Sequence, residues 1–304
     1  VLLVGKSIMK AKFASNERVV MVIIMIASGL LSAFLSNTAV VATFIPLVGA
    51  MVASSNGKLK NKNLLMPLGL ATAIGGALTL VGSTAQPMAN SILEQQGLPM
   101  FGMFDFVPVV LPLFICLIIY FATVGYGMMN KHLDFEDTVP TVDASTFEDV
   151  KLTWRTWFSA GVLVFCVAGF VAGWGKTGII ALIGAAAVML TGCLSFKEAV
   201  TEAVDWNTIF VMAFAQTIAA AMNDSGAGKM VAETAVSLVG TNLLAQTAAC
   251  VIVITVLTNI MSNTATAAMM TPIYIAIAAQ MGVNPYTFVM AVTVAANLTA
   301  ATPI

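Results

Sequence analysis

The chain has 304 residues, of which 59% are hydrophobic and 9% charged. So few charges cannot cover a water-facing surface, since an ordinary soluble domain is roughly 25% charged. This excludes a soluble enzyme and a disordered chain. With 13 Lys and Arg against 14 Asp and Glu, there is no basic footprint for nucleic acid either. What remains is an all-α polytopic membrane protein.

The first apolar stretch, 19–54, is too long for one span of about 20 residues. Ser36-Asn37-Thr38 interrupts it near the middle. A basic loop carrying Lys58, Lys60 and Lys62 follows. The next apolar element, 64–81, ends in Gly82-Ser83-Thr84-Ala85-Gln86-Pro87, and a short segment then runs to Leu93. A third apolar element spans 104–126. The polar stretch 130–155 holds His132, which reads as a solvated loop residue. In it, Ser145 and Glu148 have capping-box spacing ahead of Trp154, Trp157 and Phe158, the pattern of a short interfacial helix with aromatic anchors. Apolar elements at 158–174, 177–194 and 206–222 come next. The stretch 251–279 is again broken, by Ser262-Asn263-Thr264. The last apolar element starts near Tyr286 and runs into Asn297-Leu298-Thr299-Ala300-Ala301-Thr302-Pro303. The four cysteines, at 116, 166, 193 and 250, lie in apolar runs and read as reduced thiols. With no initiator Met and no signal peptide, the chain reads as an internal fragment.

Basic residues set the sidedness. Lys6, Lys10, Lys12 and Arg18 precede the first broken stretch and the basic loop follows it, so both of its ends are expected in the cytoplasm. The segment 94–105 has no Lys or Arg and is expected outside. Lys131, Lys151 and Arg155 bring the chain back in, and the second broken stretch then begins and ends outside. The two broken stretches enter from opposite faces.

Ser36-Asn37-Thr38-Ala39 recurs as Ser262-Asn263-Thr264-Ala265 in matched surroundings. A hydroxyl, Ser32 or Thr258, stands four residues before each motif, and a Pro, Pro46 or Pro272, stands eight residues after each Thr. Two half-passes or two full passes satisfy the sidedness of each broken stretch, and their opposite sidedness makes this an inverted-topology repeat, the pattern of secondary carriers. The bland alternative is that these polar residues are packing glue between helices. Spacing predicts that Ser32 and Ser36, and likewise Thr258 and Ser262, share one helix face. Hydroxyls, carboxamide oxygens and carbonyls freed at a helix break are hard neutral ligands suited to Na+. The helix that restarts after each break offers its N–H groups to an anion. No Asp, Glu, Lys, Arg or His lies inside a proposed span, which argues against proton coupling. Asp205 and Asp224 read as boundary residues, and Glu233 lies ahead of the second hairpin. The single His and the absence of paired membrane carboxylates or a metal motif exclude an intramembrane enzyme.

On these residues the chain resembles the divalent-anion:sodium symporter family, carriers of dicarboxylates, citrate and sulfate. The resemblance rests on the two Ser-Asn-Thr motifs, with support from Gly82-Ser83, Asp205-Trp206 and Ala301-Thr302-Pro303. It covers essentially the whole chain. It implies two re-entrant helical hairpins tipped by the Ser-Asn-Thr motifs, with broken transmembrane helices, and sodium-coupled symport of a dicarboxylate such as succinate, or of sulfate, by an elevator mechanism in a homodimer of the inner or plasma membrane. The alternative on the same fold is a sodium-independent dicarboxylate exchanger. By resemblance, one sodium site uses Ser32, Ser36, Asn37 and Gly82, and the other uses Thr258, Asn263 and Ala301. The substrate touches Asn37, Thr38, Ser83, Asn263, Thr264, Thr302 and Pro303. Residues 1–103 form the first repeat, a part of the transport domain. Residues 104–204 are scaffold-type helices with a cytoplasmic loop at 127–155. Residues 205–304 form the second repeat, up to the start of its broken helix. The chain departs from the family after Gly82-Ser83, where a Pro-Pro-Asn-like continuation is common and Thr84-Ala85-Gln86-Pro87 stands instead.

Overall fold

The computed structural model describes residues 16–55, 57–133, 153–175, 177–204 and 206–299. All the regular secondary structure among them is helical. The described residues up to 133 and those from Phe210 onward form one compact unit, and those from 153 to Ile209 form a second.

In the first unit, α1 (Glu17–Ser32) begins at Asn16, whose side chain accepts from the Arg18 N–H at 3.1 Å. It stops at Ser32, and α2 (Asn37–Ser54) starts after the turn. Ser36 caps α2 by accepting the Ala39 N–H at 3.3 Å. Ser32 therefore ends one helix and Ser36 precedes the next. They do not share a helix face as their spacing predicts, because the turn at 33–35 breaks the period. The same holds for Thr258, which ends its helix, and Ser262, which caps the following one.

Next comes α3 (Asn61–Gly76), which packs against both α1 and α2. A Cβ on Gly75 would fall closer than 3.0 Å to the Gly29 backbone, and one on Gly29 would strike the Phe114 ring. Small residues thus let α1 and α3 cross backbone to backbone, as membrane helices do when they lack a hydrophobic drive to associate. The sequence reading carries this element on to Val81, but the helix ends at Gly76. Past it the chain is held by tertiary bonds: the Thr79 hydroxyl donates to the Ala33 carbonyl, and the Leu80 N–H to the Met103 carbonyl at 3.1 Å. The helix resumes as α4 (Ala85–Gln95).

α5 (Val107–Tyr120) runs through a π turn at Phe121–Gly125 into α6 (Tyr126–His132). The run is 26 residues long, apolar and able to cross a membrane. It passes the expected end at Tyr126, so His132 is the last helical residue rather than part of a loop, with its Nδ1 3.0 Å from the Met128 carbonyl oxygen. At this end of the unit Glu17 gathers three donors: the Lys60 N–H (2.7 Å), Asn63 Nδ2 (3.0 Å) and the Tyr126 hydroxyl (2.6 Å). Arg18 lies over the Tyr126 ring. Three segments that the sequence assigns to the cytoplasm on their Lys and Arg content thus meet at one end.

The second unit holds α7 (Trp154–Ala172), closed by Gly173 at φ +65°, and α8 (Thr177–Leu190). They pack closely where Gly184 meets Cys166 and Gly169 meets Ile180. α7 is also long and apolar enough to span. A capping box then forms where Ser195 and Glu198 bond reciprocally around the short α9 (Phe196–Glu198). Those bonds hold the Glu198 carboxyl below its ordinary range. The capping box expected at Ser145 and Glu148 lies outside the described residues. Trp206 Nε1 donates to the Val200 carbonyl at 2.8 Å, and Trp206 opens α10 (Trp206–Asp224).

In the first unit the chain continues with α11 (Ala227–Val239), a helix the sequence reading does not contain. α12 (Leu243–Thr258) follows at a bend of 113°. Then come α13 (Asn263–Met281) and α14 (Pro285–Ala296). α14 packs against both α12 and α13, as α3 packs against both α1 and α2. Around α13 and α14 the core includes Ala85, Cys250, Ile254, Ala267, Tyr274, Phe288 and Val292.

Candidate functional site

Each Ser-Asn-Thr motif sits at a gap between two helices. At the first, Ser32, fully buried, donates its hydroxyl to Asn37 Oδ1 at 2.5 Å. Two glycines close the wall opposite. A Cβ on Gly82 would lie within 3.0 Å of the carbonyl oxygens of Ser32, Ala33 and Gly76. A Cβ on Gly76 would lie within 3.0 Å of Asn37 Oδ1 and of the Gly82 carbonyl oxygen. Carbonyls of Ser32, Ala33, Gly76 and Gly82 and the Asn37 carboxamide thus crowd a space that only glycines leave open. All are neutral oxygens. Ser36, exposed at the tip, spends its hydroxyl oxygen on the α2 cap.

The second motif repeats this local chemistry. Thr258, buried, directs its hydroxyl to Asn263 Oδ1 at 3.0 Å and to the Ala296 carbonyl at 2.7 Å. Ser262 caps α13 by accepting the Ala265 N–H at 3.2 Å. Ala296 is the last residue of α14, so its carbonyl has lost its place in a helical ladder. Ala301, Thr302 and Pro303 lie outside the described residues.

Hydrogen bonds join the two halves. Ser83 donates to Asn297 Oδ1 at 2.6 Å, and the Thr84 and Thr264 hydroxyls bond to each other. Two of the substrate residues expected from the resemblance, Ser83 and Thr264, are therefore tied to residues outside the expected ligand sets, Asn297 and Thr84. Thr38 and Asn37 lie at the other tip, with Thr38 exposed. Thr79, bound to Ala33 beside the Gly82 cluster, and Gln86, whose Nε2 donates to the Ala77 carbonyl at 3.3 Å, also lie at this break and outside the expected ligand sets. Buried polar residues in an otherwise apolar run are the signal that could have found Asn297 and Gln86.

Helices α2, α4 and α13 all begin at these breaks, and none has an acidic residue in its first turn. The positive ends of their dipoles are therefore not countered by a carboxylate of the same turn. Among the described residues, no three His, Cys, Asp or Glu side chains stand close enough to hold a metal ion. The described residues at the breaks offer hydroxyls, amides and backbone ends.

Helices that stop and restart at such breaks are a construction found in membrane carriers. The profile of the citrate transporter family, CitMHS, matches residues 4–178 and 174–304, and the chain belongs to that family. It is an integral membrane protein of the plasma membrane. It is 28% identical over 285 residues to an uncharacterized transporter of Haemophilus influenzae, covering 88% of this chain and 60% of the relative. It is 26% identical over 313 residues to the sodium-dependent dicarboxylate transporter SdcS of Staphylococcus saprophyticus, covering 90% of this chain and 59% of the relative. A shorter similarity, 34% over 110 residues, links it to the uncharacterized transporter YfbS of Escherichia coli, covering 36% of this chain and 18% of the relative. The chain thus spans about 60% of the length of the first and second of these relatives.

Proposed function

We propose that this chain forms the ion- and substrate-binding part of a sodium-coupled symporter for a divalent organic anion, a dicarboxylate such as succinate, or for sulfate. The observation that carries the reading is the pair of matched sites: Ser32 on Asn37 beside the Gly76–Gly82 oxygens, and Thr258 on Asn263 beside the Ala296 carbonyl. Neutral, hard oxygens in a tight space suit a small monovalent cation, carried here as co-substrate. Ser32, Ser36, Asn37 and Gly82 would hold one sodium ion. Thr258, Asn263 and Ala301 would hold the other. The anion would lie at the helix starts, among Asn37, Thr38, Ser83, Asn263, Thr264, Thr302 and Pro303. The sodium-dependent dicarboxylate relative supports both the cation and the substrate class.

The matched hydrogen bonds and the matched placement of α3 and α14 support an inverted repeat whose hairpins enter from opposite faces. In the elevator reading, a homodimer fixes the scaffold and the unit bearing both motifs moves. α5 and α6 would move with it, since Phe114 lies on Gly29 and Tyr126 bonds Glu17.

The test is uptake of labelled succinate, citrate and sulfate by the whole protein in proteoliposomes. An inward sodium gradient is expected to drive accumulation of one of these anions, and potassium is not. Uptake that requires internal counter-substrate and ignores sodium would select the exchanger instead.

A further inference from the structure

Asn297 belongs to neither set of site residues, yet it is 1% exposed and its carboxamide is hydrogen-bonded through both its nitrogen and its oxygen. Nδ2 donates to the Thr293 carbonyl at 2.8 Å, closing the end of α14. Oδ1 accepts from Ser83, a residue 214 positions away, at 2.6 Å. Each partner of that long-range bond adjoins a candidate cation site. Gly82, before Ser83, is packed against the Ser32, Ala33 and Gly76 oxygens. Ala296, before Asn297, offers the carbonyl that receives the Thr258 hydroxyl. A continuous covalent and hydrogen-bonded path therefore runs from the first oxygen cluster, through Gly82-Ser83 and Asn297-Ala296, to the second.

We propose that Asn297 is a positioning residue that couples the two cation sites. The proposal rests on the sodium-coupled reading. A cation among the first set of oxygens fixes the Gly82-Ser83 turn. The Ser83 bond then fixes Asn297, and with it the Ala296 carbonyl at the second site. The second cation binds to a preformed ligand, so the two bind cooperatively. A carboxamide suits this role because it accepts from Ser83 and donates to Thr293 at once, without a charge to bury. Thr84 and Thr264 brace the same junction from the helix starts.

The experiment measures thermal unfolding of the whole protein in detergent against sodium concentration, at constant ionic strength with potassium as balance and with no anionic substrate. Wild type is expected to be stabilised by sodium with a Hill coefficient above about 1.5, and Asn297→Ala with one of about 1 and a midpoint raised about fivefold or more. A merely structural role would lower the sodium-free melting temperature and leave the steepness of the sodium response unchanged. Ser83→Ala leaves Asn297 and its Thr293 bond in place. It should lose the same steepness, and it decides the question if Asn297→Ala does not fold. Equal steepness in wild type and in both variants overturns the coupling while leaving sodium binding intact. A wild type that binds sodium without cooperativity overturns it too. A wild type indifferent to sodium overturns the coupling and the sodium-coupled reading together.

Discussion

Asn37→Ala and Asn263→Ala are each expected to reduce uptake below about a tenth of wild type while the protein still inserts. The argument starts from the hydroxyls. Ser32 and Thr258 are buried, and each directs its hydroxyl to the motif carboxamide oxygen. Removing that oxygen subtracts a neutral ligand and leaves a buried hydroxyl to find another acceptor. A buried polar group without its partner costs about 1–3 kcal/mol, and about 1.4 kcal/mol is tenfold in an equilibrium. Thr258 keeps a second acceptor, the Ala296 carbonyl, whereas the Ser32 hydroxyl donates to Asn37. Asn37→Ala should therefore be the more severe. Helix formation should survive in both, because Ala is a good helix former and the caps at Ser36 and Ser262 remain. Uptake and the amount of inserted protein, measured on the same vesicles, separate the effects. Normal uptake in both variants would return the motifs to the role of packing glue.

Gly82→Ala is expected to abolish uptake altogether. Its added methyl would come within 3.0 Å of three backbone carbonyl oxygens, those of Gly76, Ser32 and Ala33. Backbone oxygens cannot rotate away as a flexible side chain can, so the break itself must shift. Overpacking of this kind costs about 1–3 kcal/mol in stability, and the shift moves Gly82 and Ser32, two residues of the proposed cation site. Gly69→Ala is the control: it lies in α3, one helix earlier, with nothing within 4 Å of the added methyl. The control should keep wild-type uptake and melting temperature. Gly82→Ala with wild-type uptake would show that the crowded oxygens do not form an ion site.

The sequence made the local parts of this molecule readable. A Ser before a new helix, a polar triplet in an apolar run and a Gly-Ser at a break are short-range signals, and helices do restart at Asn37, Ala85 and Asn263. What escaped was set by distant partners. α3 stops at Gly76 rather than Val81 because Thr79 and Leu80 bond to Ala33 and Met103, which no periodicity within 64–81 reveals. Ser32 and Ser36 share a face only in a helix that runs through 33–35, and the helix stops at Ser32. α11 went unseen because Lys229 and Glu233, paired at 3.9 Å on its surface, interrupt an apolar run too short to read as a span. Asn297 and Thr84 acquire meaning only through Ser83 and Thr264, partners that lie in the opposite half of the chain.

The most direct test is a sodium titration of uptake, at fixed substrate ionisation, for wild type, Ser32→Ala and Thr258→Ala. None of the proposed ligands titrates near physiological pH, so coupling must follow the cation and not a proton released by the site. Each variant loses one hydroxyl from one of two matched sites. Both should raise the sodium concentration for half-maximal uptake by similar factors, with most of the rate recovered at saturating sodium. A proton gradient in sodium-free buffer should drive nothing. Unchanged half-maximal sodium in both variants, or proton-driven uptake without sodium, would contradict the account.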